Sequence, residues 1–182
     1  MKILGISGSL RGNSSNTTLL RILGSIPHPE IEFGIFPDLG RLPHFSPELD
    51  DADASLQVRS FRAALSGCDG VVLSTPEYAF GMPGVLKNAL DWTVSSGEFD
   101  GKPVAAISAS PTYAGGDKAH ASLLLVLSAL SARVIPKASF PIPMIYKKIS
   151  KTGEIVDPAI KALLAGVLAE LADAVRSGPR HA

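Results

Sequence analysis

Short apolar runs alternate with stretches of helical periodicity along this chain. Ile3-Leu4-Gly5-Ile6 reads as a first strand. Leu19, Leu20, Ile22 and Leu23 follow as two pairs at the spacing of one helical face. Gly24, Pro27 and Pro29 close that helix near Leu23. Residues 31–36 alternate Ile, Phe and Ile with polar or small residues and predict a second strand. Residues 54–65 carry Leu56, Val58, Phe61, Ala64 and Leu65 close to i, i+4 spacing, a helix ending at Gly67. Val71-Val72-Leu73 is a continuous apolar run of the kind buried in parallel sheets. A helix over 85–94 follows, with Pro83 near its first turn. Residues 102–108 hold a fourth strand, and 117–130 a helix with Leu123, Leu127 and Leu130 in one stripe. Residues 133–140 hold a short fifth strand interrupted by Pro136. Residues 141–156 read as irregular, with a turn at Lys151-Thr152-Gly153-Glu154. Asp157-Pro158 caps and starts the last helix, which ends near Arg176 before a tail over 178–182.

Five strands alternating with five helices imply parallel strands in a three-layer α/β fold, here one domain over 1–182. In such a sheet ligands bind beyond the carboxyl ends of the strands, at the switch in strand order. The loops after strands one, three and four all leave such ends and are expected to converge on one site. The long segments 37–51 and 141–156 would form its mouth.

Composition narrows the class. Of 182 residues 46% are apolar, and 17 Lys plus Arg balance 17 Asp plus Glu. A formal charge of zero leaves no footprint for nucleic acid or for a membrane surface. No run is long enough to span a bilayer, and the first residues read as a strand, so the expectation is a cytoplasmic protein. Zero net charge also permits self-association. The single Cys68 excludes an internal disulfide and reads as a small core residue. His28, His44, His120 and His181 lack ligand spacing, so no metal site is expected.

The chemistry concentrates in Gly8-Ser9-Leu10-Arg11-Gly12-Asn13-Ser14-Ser15-Asn16, between the first strand and the first helix. The first amides of a helix lack internal partners and lie at the positive end of its dipole. The hydroxyls of Ser9, Ser14 and Ser15 add donors, and Arg11 adds a forked cation, so a phosphate suits the loop. It matches neither the Walker pattern nor the dinucleotide fingerprint. A Ser/Asn-capped helix with no ligand is the alternative.

Gly8-Ser9-Leu10-Arg11-x-x-Ser14-x-Asn16 resembles the phosphate loop of the NADPH-dependent FMN reductase family, which includes chromate, quinone and azo reductases. Thr75-Pro76-Glu77-Tyr78, followed by Pro83-Gly84-Val85-Leu86-Lys87-Asn88-Ala89-Leu90-Asp91-Trp92, is similar to its second signature. The resemblance implies a flavodoxin-like doubly wound fold, five strands in the order 2-1-3-4-5, with FMN at the strand ends and NADPH or NADH as co-substrate. Ser9, Arg11, Ser14 and Asn16 match the phosphate binders, Arg11 being assigned to FMN in preference to the 2′-phosphate of NADPH. Pro76, Glu77 and Tyr78 match the segment along the flavin ring, and Ala79, next in that segment, is expected to bind the cofactor with them. The loop at 108–116, with Ser110, would close over the ring's other edge. Glu77 reads alternatively as a solvent carboxylate and Tyr78 as a packing aromatic. Leu90 and Trp92 read as core or interface, and Lys87 with Asp91 as a surface pair. Two departures stand out: Ala79 where the family often has Asn, and Pro111-Thr112 where it usually has a Gly.

Hydride exchange between nicotinamide and flavin needs no protein nucleophile, so no catalytic side chain is expected. The implied activity is an NAD(P)H-dependent, FMN-containing reductase passing hydride to a quinone, free flavin or similar small acceptor by a ping-pong cycle. The resemblance also implies a homodimer or homotetramer. The alternative is a flavodoxin-type electron carrier, or a vestigial flavin-binding regulator.

Overall fold

The computed structural model describes residues 1–50, 54–150 and 152–178. Asp51, Lys151 of the expected turn, and the tail beyond Gly178 with His181 lie outside them. Strand β1 (Lys2–Ser7) pairs in parallel with β2 (Glu32–Ile35) on one side and with β3 (Gly70–Thr75) on the other. Beyond β3 come β4 (Pro103–Ala109), β5 (Arg133–Val134) and β6 (Phe140–Ile142), all parallel. The strand order is 2-1-3-4-5, as the resemblance implies.

Every residue of β3 and β4 is buried, which explains their continuous apolar runs. Successive side chains go to opposite faces. Val71, Leu73, Val104 and Ala106 meet α2 (Leu56–Ser66), α3 (Gly84–Asp91) and α4 (Asp117–Ala129) through Phe61, Leu86 and Leu123. Val72, Ala105 and Ile107 meet α1 (Ser15–Ser25) and α5 (Pro158–Arg176) through Leu20, Leu23, Leu164 and Leu168. Two cores on one sheet make the three layers.

The fifth position differs from the expected single strand. Proline has no N–H to give the ladder, and Pro136 starts a 3-10 turn that divides the segment into β5 and β6. Opposite the gap, the Ala106 amide of β4 donates instead to Ser139 Oγ at 3.0 Å. Helix α1 continues through Gly24 to Ser25. Gly24 serves packing there, because a Cβ would stand 3.0 Å from the Phe33 ring of β2. Helix α2 starts at Leu56 behind its cap Ser55, and α3 stops at Asp91 rather than reaching Val94. The segment 141–156 is less irregular than expected: Ile149 and Ile155 form an antiparallel bridge.

The segment 37–50 is clamped to α3 and α2. Asn88 receives the Phe45 amide at 2.7 Å and donates to the Pro43 carbonyl at 2.9 Å. Trp92 Nε1 donates to the same carbonyl at 2.9 Å. Asn88 and Trp92 are four apart, so one helical face holds the loop. Arg62 completes the clamp by pairing with Asp50 and donating from Nε to the Trp92 carbonyl at 2.8 Å.

Candidate functional site

The loops after β1, β3 and β4 gather at the carboxyl ends of the sheet. In the first, the Gly8 amide donates to the Ser74 carbonyl at 2.8 Å. A Cβ on Gly8 would stand 3.1 Å from Thr75 Oγ1 and Leu86 Cδ2, so the loop runs tight against β3 and α3. Ser9 is buried, and its Oγ accepts the Arg11 amide at 3.3 Å. Ser14 caps α1: its Oγ accepts the Thr17 amide at 3.5 Å and its carbonyl the Thr18 amide at 2.9 Å. The amides of Ser15 and Asn16 find no acceptor among the described residues. No acidic residue lies between Gly8 and Gly24, and neither Arg11 nor Arg21 pairs with a described carboxylate. Hydroxyls, open helix amides and an unpaired guanidinium are the donor set a phosphomonoester such as that of FMN requires.

Helix α4 opens onto the same end of the sheet and is closed. Glu77 Oε2 accepts the Lys118 and Ala119 amides at 3.0 Å each. The carboxylate of the β3 loop therefore occupies the positive end of α4 and excludes an anion from it. The Glu77 carboxylate is therefore held by two backbone amides rather than free in solvent. It ties the loop after β3 to the helix after β4.

Asn16 has an equally structural use. Its Oδ1 accepts from Ser74 Oγ at 2.9 Å and its Nδ2 donates to the Ala109 carbonyl at 3.1 Å. The buried amide braces the start of α1 against the ends of β3 and β4. Ser15, the first residue of α1, borders a groove of about 670 Å³ shared with Thr18, Arg21, Tyr146 and Ser150.

In the β3 loop, Tyr78 and Gly81 exchange both backbone hydrogen bonds at 3.0 Å around Ala79 and Phe80. The φ angles of Ala79 and Phe80 are 49° and 62°, the left-handed pair of a type I′ turn. A side chain there costs ~1–2 kcal/mol per residue, a cost Asn and Gly escape. The turn presents Tyr78 half-exposed and Phe80 81% exposed, while Pro76 before it is half-buried. Facing them, the β4 loop is strapped to 142–145. Ser110 donates its amide to the Ile142 carbonyl and accepts the Ile145 amide, and the Thr112 carbonyl accepts the Met144 amide at 3.0 Å. Thr112 also donates its amide to the buried Ser110 Oγ at 3.3 Å. Gly115 is obligatory: at φ 66° a Cβ would stand 2.8 Å from the Pro143 nitrogen. Tyr113 at the loop tip is 85% exposed.

Two other groups are quiet. Burial pushes the Cys68 thiol up, and its Sγ donates to the Leu65 carbonyl at 3.2 Å. Burial pushes His120 down, favouring its neutral imidazole. Among the described residues no helix is long and apolar enough to cross a membrane. Sequence reasoning missed the loop-holding role of Asn88; its signal was an amide one turn before Trp92 on an otherwise apolar helix face.

A parallel sheet of order 2-1-3-4-5, with an open anion site where its first strand meets its first helix, defines a flavodoxin-like nucleotide-binding protein. The chain belongs to the NADPH-dependent FMN reductase family, whose model matches residues 1–147. Quinone reductase of Escherichia coli (strain K12) is 30% identical to it over 172 residues, covering 92% of both chains. A 2-hydroxy-1,4-benzoquinone reductase of Burkholderia sp is 35% identical over 159 residues, 86% of both. Among solved structures, the flavoenzyme NAD(P)H:(acceptor) oxidoreductase FerB of Paracoccus denitrificans superposes with a TM-score of 0.82 at 29% identity, over 97% of this chain and 98% of that one. The chain is thus an oxidoreductase of a family that works with FMN and NAD(P)H.

Proposed function

We propose that the chain, as one FMN-binding domain, is a cytoplasmic NAD(P)H-dependent reductase of quinone-class acceptors that works by a ping-pong cycle. One observation carries the site assignment: the N-terminus of α1 is open within a Ser/Arg loop free of acids, while Glu77 closes that of α4. When bound, FMN supplies the redox chemistry, taking a hydride from the nicotinamide and giving reducing equivalents to the acceptor that replaces it.

The chain's own work is holding and framing. Ser9, Ser14 and Ser15 hydroxyls, with the amides of Ser15 and Asn16, would hold the phosphate, and Arg11 would balance its second charge. Residues 76–81 would offer backbone along the ring, and the exposed aromatics Tyr78, Phe80 and Tyr113 on the loops after β3 and β4 suit flat acceptors. The names of the quinone-reducing relatives support that acceptor class.

A homodimer or homotetramer is part of the same reading. Helix α4 is apolar on both sides: Leu123 and Leu127 are buried, yet Leu125 is 74% exposed with Ala121 and Ala129 beside it. Such a helix wants a second cover.

The test is a visible spectrum of the protein after FMN is added and the excess removed. We expect a retained flavin that bleaches with anaerobic NADPH and recovers with a quinone. A retained flavin that stays oxidised would leave an electron carrier. Productive turnover only through a ternary complex would exclude the ping-pong cycle.

A further inference from the structure

The turn after β3 presents a bulky side chain on costly backbone. Ala79 and Phe80 are its two central residues, at φ 49° and 62°. A type I′ turn favours Asn followed by Gly at these positions, because Gly takes positive φ freely and a residue with a Cβ does not. A ring at the second position is the outlier. Burial gives nothing back: Phe80 is 81% exposed, packs into neither core and stacks on no described aromatic. A lone exposed apolar side chain is ordinary on a protein surface. One held out on strained backbone, where Gly would fit better, is not.

The turn is also fixed at both ends. Tyr78 and Gly81 exchange backbone hydrogen bonds at 3.0 Å. On the incoming side Glu77 holds the first amides of α4. On the outgoing side Pro83 precedes α3 as its N-cap, and its carbonyl accepts the Leu86 amide at 3.0 Å and the Lys87 amide at 3.1 Å. Phe80 thus stands on a short arm anchored to two helices, at the carboxyl end of the sheet where ligands of this architecture enter. It offers a flat apolar face and no hydrogen-bonding group.

We infer that Phe80 selects the acceptor: its ring stacks on the acceptor and favours two-ring, apolar quinones over single-ring ones. The inference rests on the reductase reading above and names which of its acceptors are preferred. A naphthoquinone carries an aromatic ring beyond the one that accepts electrons, and that ring is free for offset stacking; a benzoquinone carries none. The strain in the turn is the stability given up for this contact.

The experiment uses the FMN-loaded protein as wild type, Phe80→Gly, Phe80→Ala and Phe80→Tyr. The probes are 2,3-dimethyl-1,4-naphthoquinone and tetramethyl-1,4-benzoquinone. Binding to the oxidised protein is read from the flavin absorption, and kcat/KM is measured for each quinone with NADPH. Phe80→Gly and Phe80→Ala should each lose about 2- to 10-fold in affinity and in kcat/KM for the naphthoquinone, the worth of one aromatic pair, and less for the benzoquinone. Phe80→Tyr keeps the ring and should keep the preference. Thermal unfolding separates ring from backbone. Phe80→Gly should raise Tm by roughly 2–4 °C, because only Gly relieves the positive φ, and Phe80→Ala should not. Equal losses with both quinones, or a loss in Phe80→Gly that Phe80→Ala does not share, would overturn the inference. So would a changed oligomeric state of Phe80→Gly on gel filtration, which would place the ring between copies of this chain. A wild type whose flavin NADPH leaves oxidised, yet which binds the naphthoquinone through Phe80, would overturn the reductase reading and support the stacking contact.

Discussion

Glu77 and Ala119 are joined across 42 positions of sequence: Glu77 Oε2 accepts the Ala119 amide at 3.0 Å, and the Lys118 amide beside it. This bond closes the positive end of α4 and fixes the loop after β3 to the helix after β4. Glu77→Ala removes a helix cap and is expected to cost ~0.5–2 kcal/mol. For a chain of this length that lowers Tm by roughly 1–8 °C. Glu77→Gln keeps an acceptor and should lose less. Thermal unfolding of the two variants, with and without FMN, checks both statements; equal losses would mean that the carboxylate's charge, not the bond, matters.

Asn16 tests the difference between a brace and a ligand. Asn16→Ala leaves Ser74 Oγ and the Ala109 carbonyl without a partner inside the fold. Each buried unpaired group costs ~1–3 kcal/mol. The expected result is a lower Tm in the absence of any flavin. A side chain that only touched phosphate would instead leave the flavin-free Tm unchanged and weaken FMN retention alone.

These two residues show where sequence reading stops. Strands β3 and β4 are legible because burial on both faces writes an unbroken apolar run. The phosphate loop is legible because its open amides and hydroxyls belong to one short segment. The fifth strand is not, since its division at Pro136 is made good by a Ser139 side chain reaching the Ala106 amide. Glu77, Asn16 and Asn88 are polar residues in signature segments, and sequence cannot say whether such a side chain faces a ligand or a distant backbone group. The answer depends on partners 42, 93 and 45 positions away.

The Ala79-Phe80 turn carries strain that the sequence shows only as an absent Asn. Both residues sit at positive φ. Ala79→Gly should stabilise the protein by ~1 kcal/mol, the relief of the left-handed backbone less the added freedom of the unfolded chain. Ala79→Asn should gain less, in the same direction. Denaturant midpoints at equal slope would check this, and a loss of stability in Ala79→Gly would show that the turn is not strained.

The clamp on the 37–50 loop has a predictable acid limit. The Asp50 carboxylate, 7% exposed, takes Ser95 Oγ at 2.6 Å and pairs with Arg62. The hydrogen bonds from Ser95 and then Arg62 hold Asp50 below the usual carboxylate range. Unfolded, it titrates near ~3.9. A carboxylate depressed in the native state contributes stability above its unfolded pKa and loses it as pH falls through the folded value. Asp50→Asn is therefore expected to cost ~1–3 kcal/mol at pH 7, the worth of hydrogen bonds to a charged group. That difference should stay constant between pH 6 and 8 and shrink below about pH 4, as the wild-type carboxyl itself takes up a proton. Urea titrations of both proteins across this range would measure the difference directly. A gap that persisted at full size below the folded pKa would assign the clamp to packing of Arg62 on Trp92, whose ring centroid lies 6.0 Å from the guanidinium, rather than to the charge of Asp50.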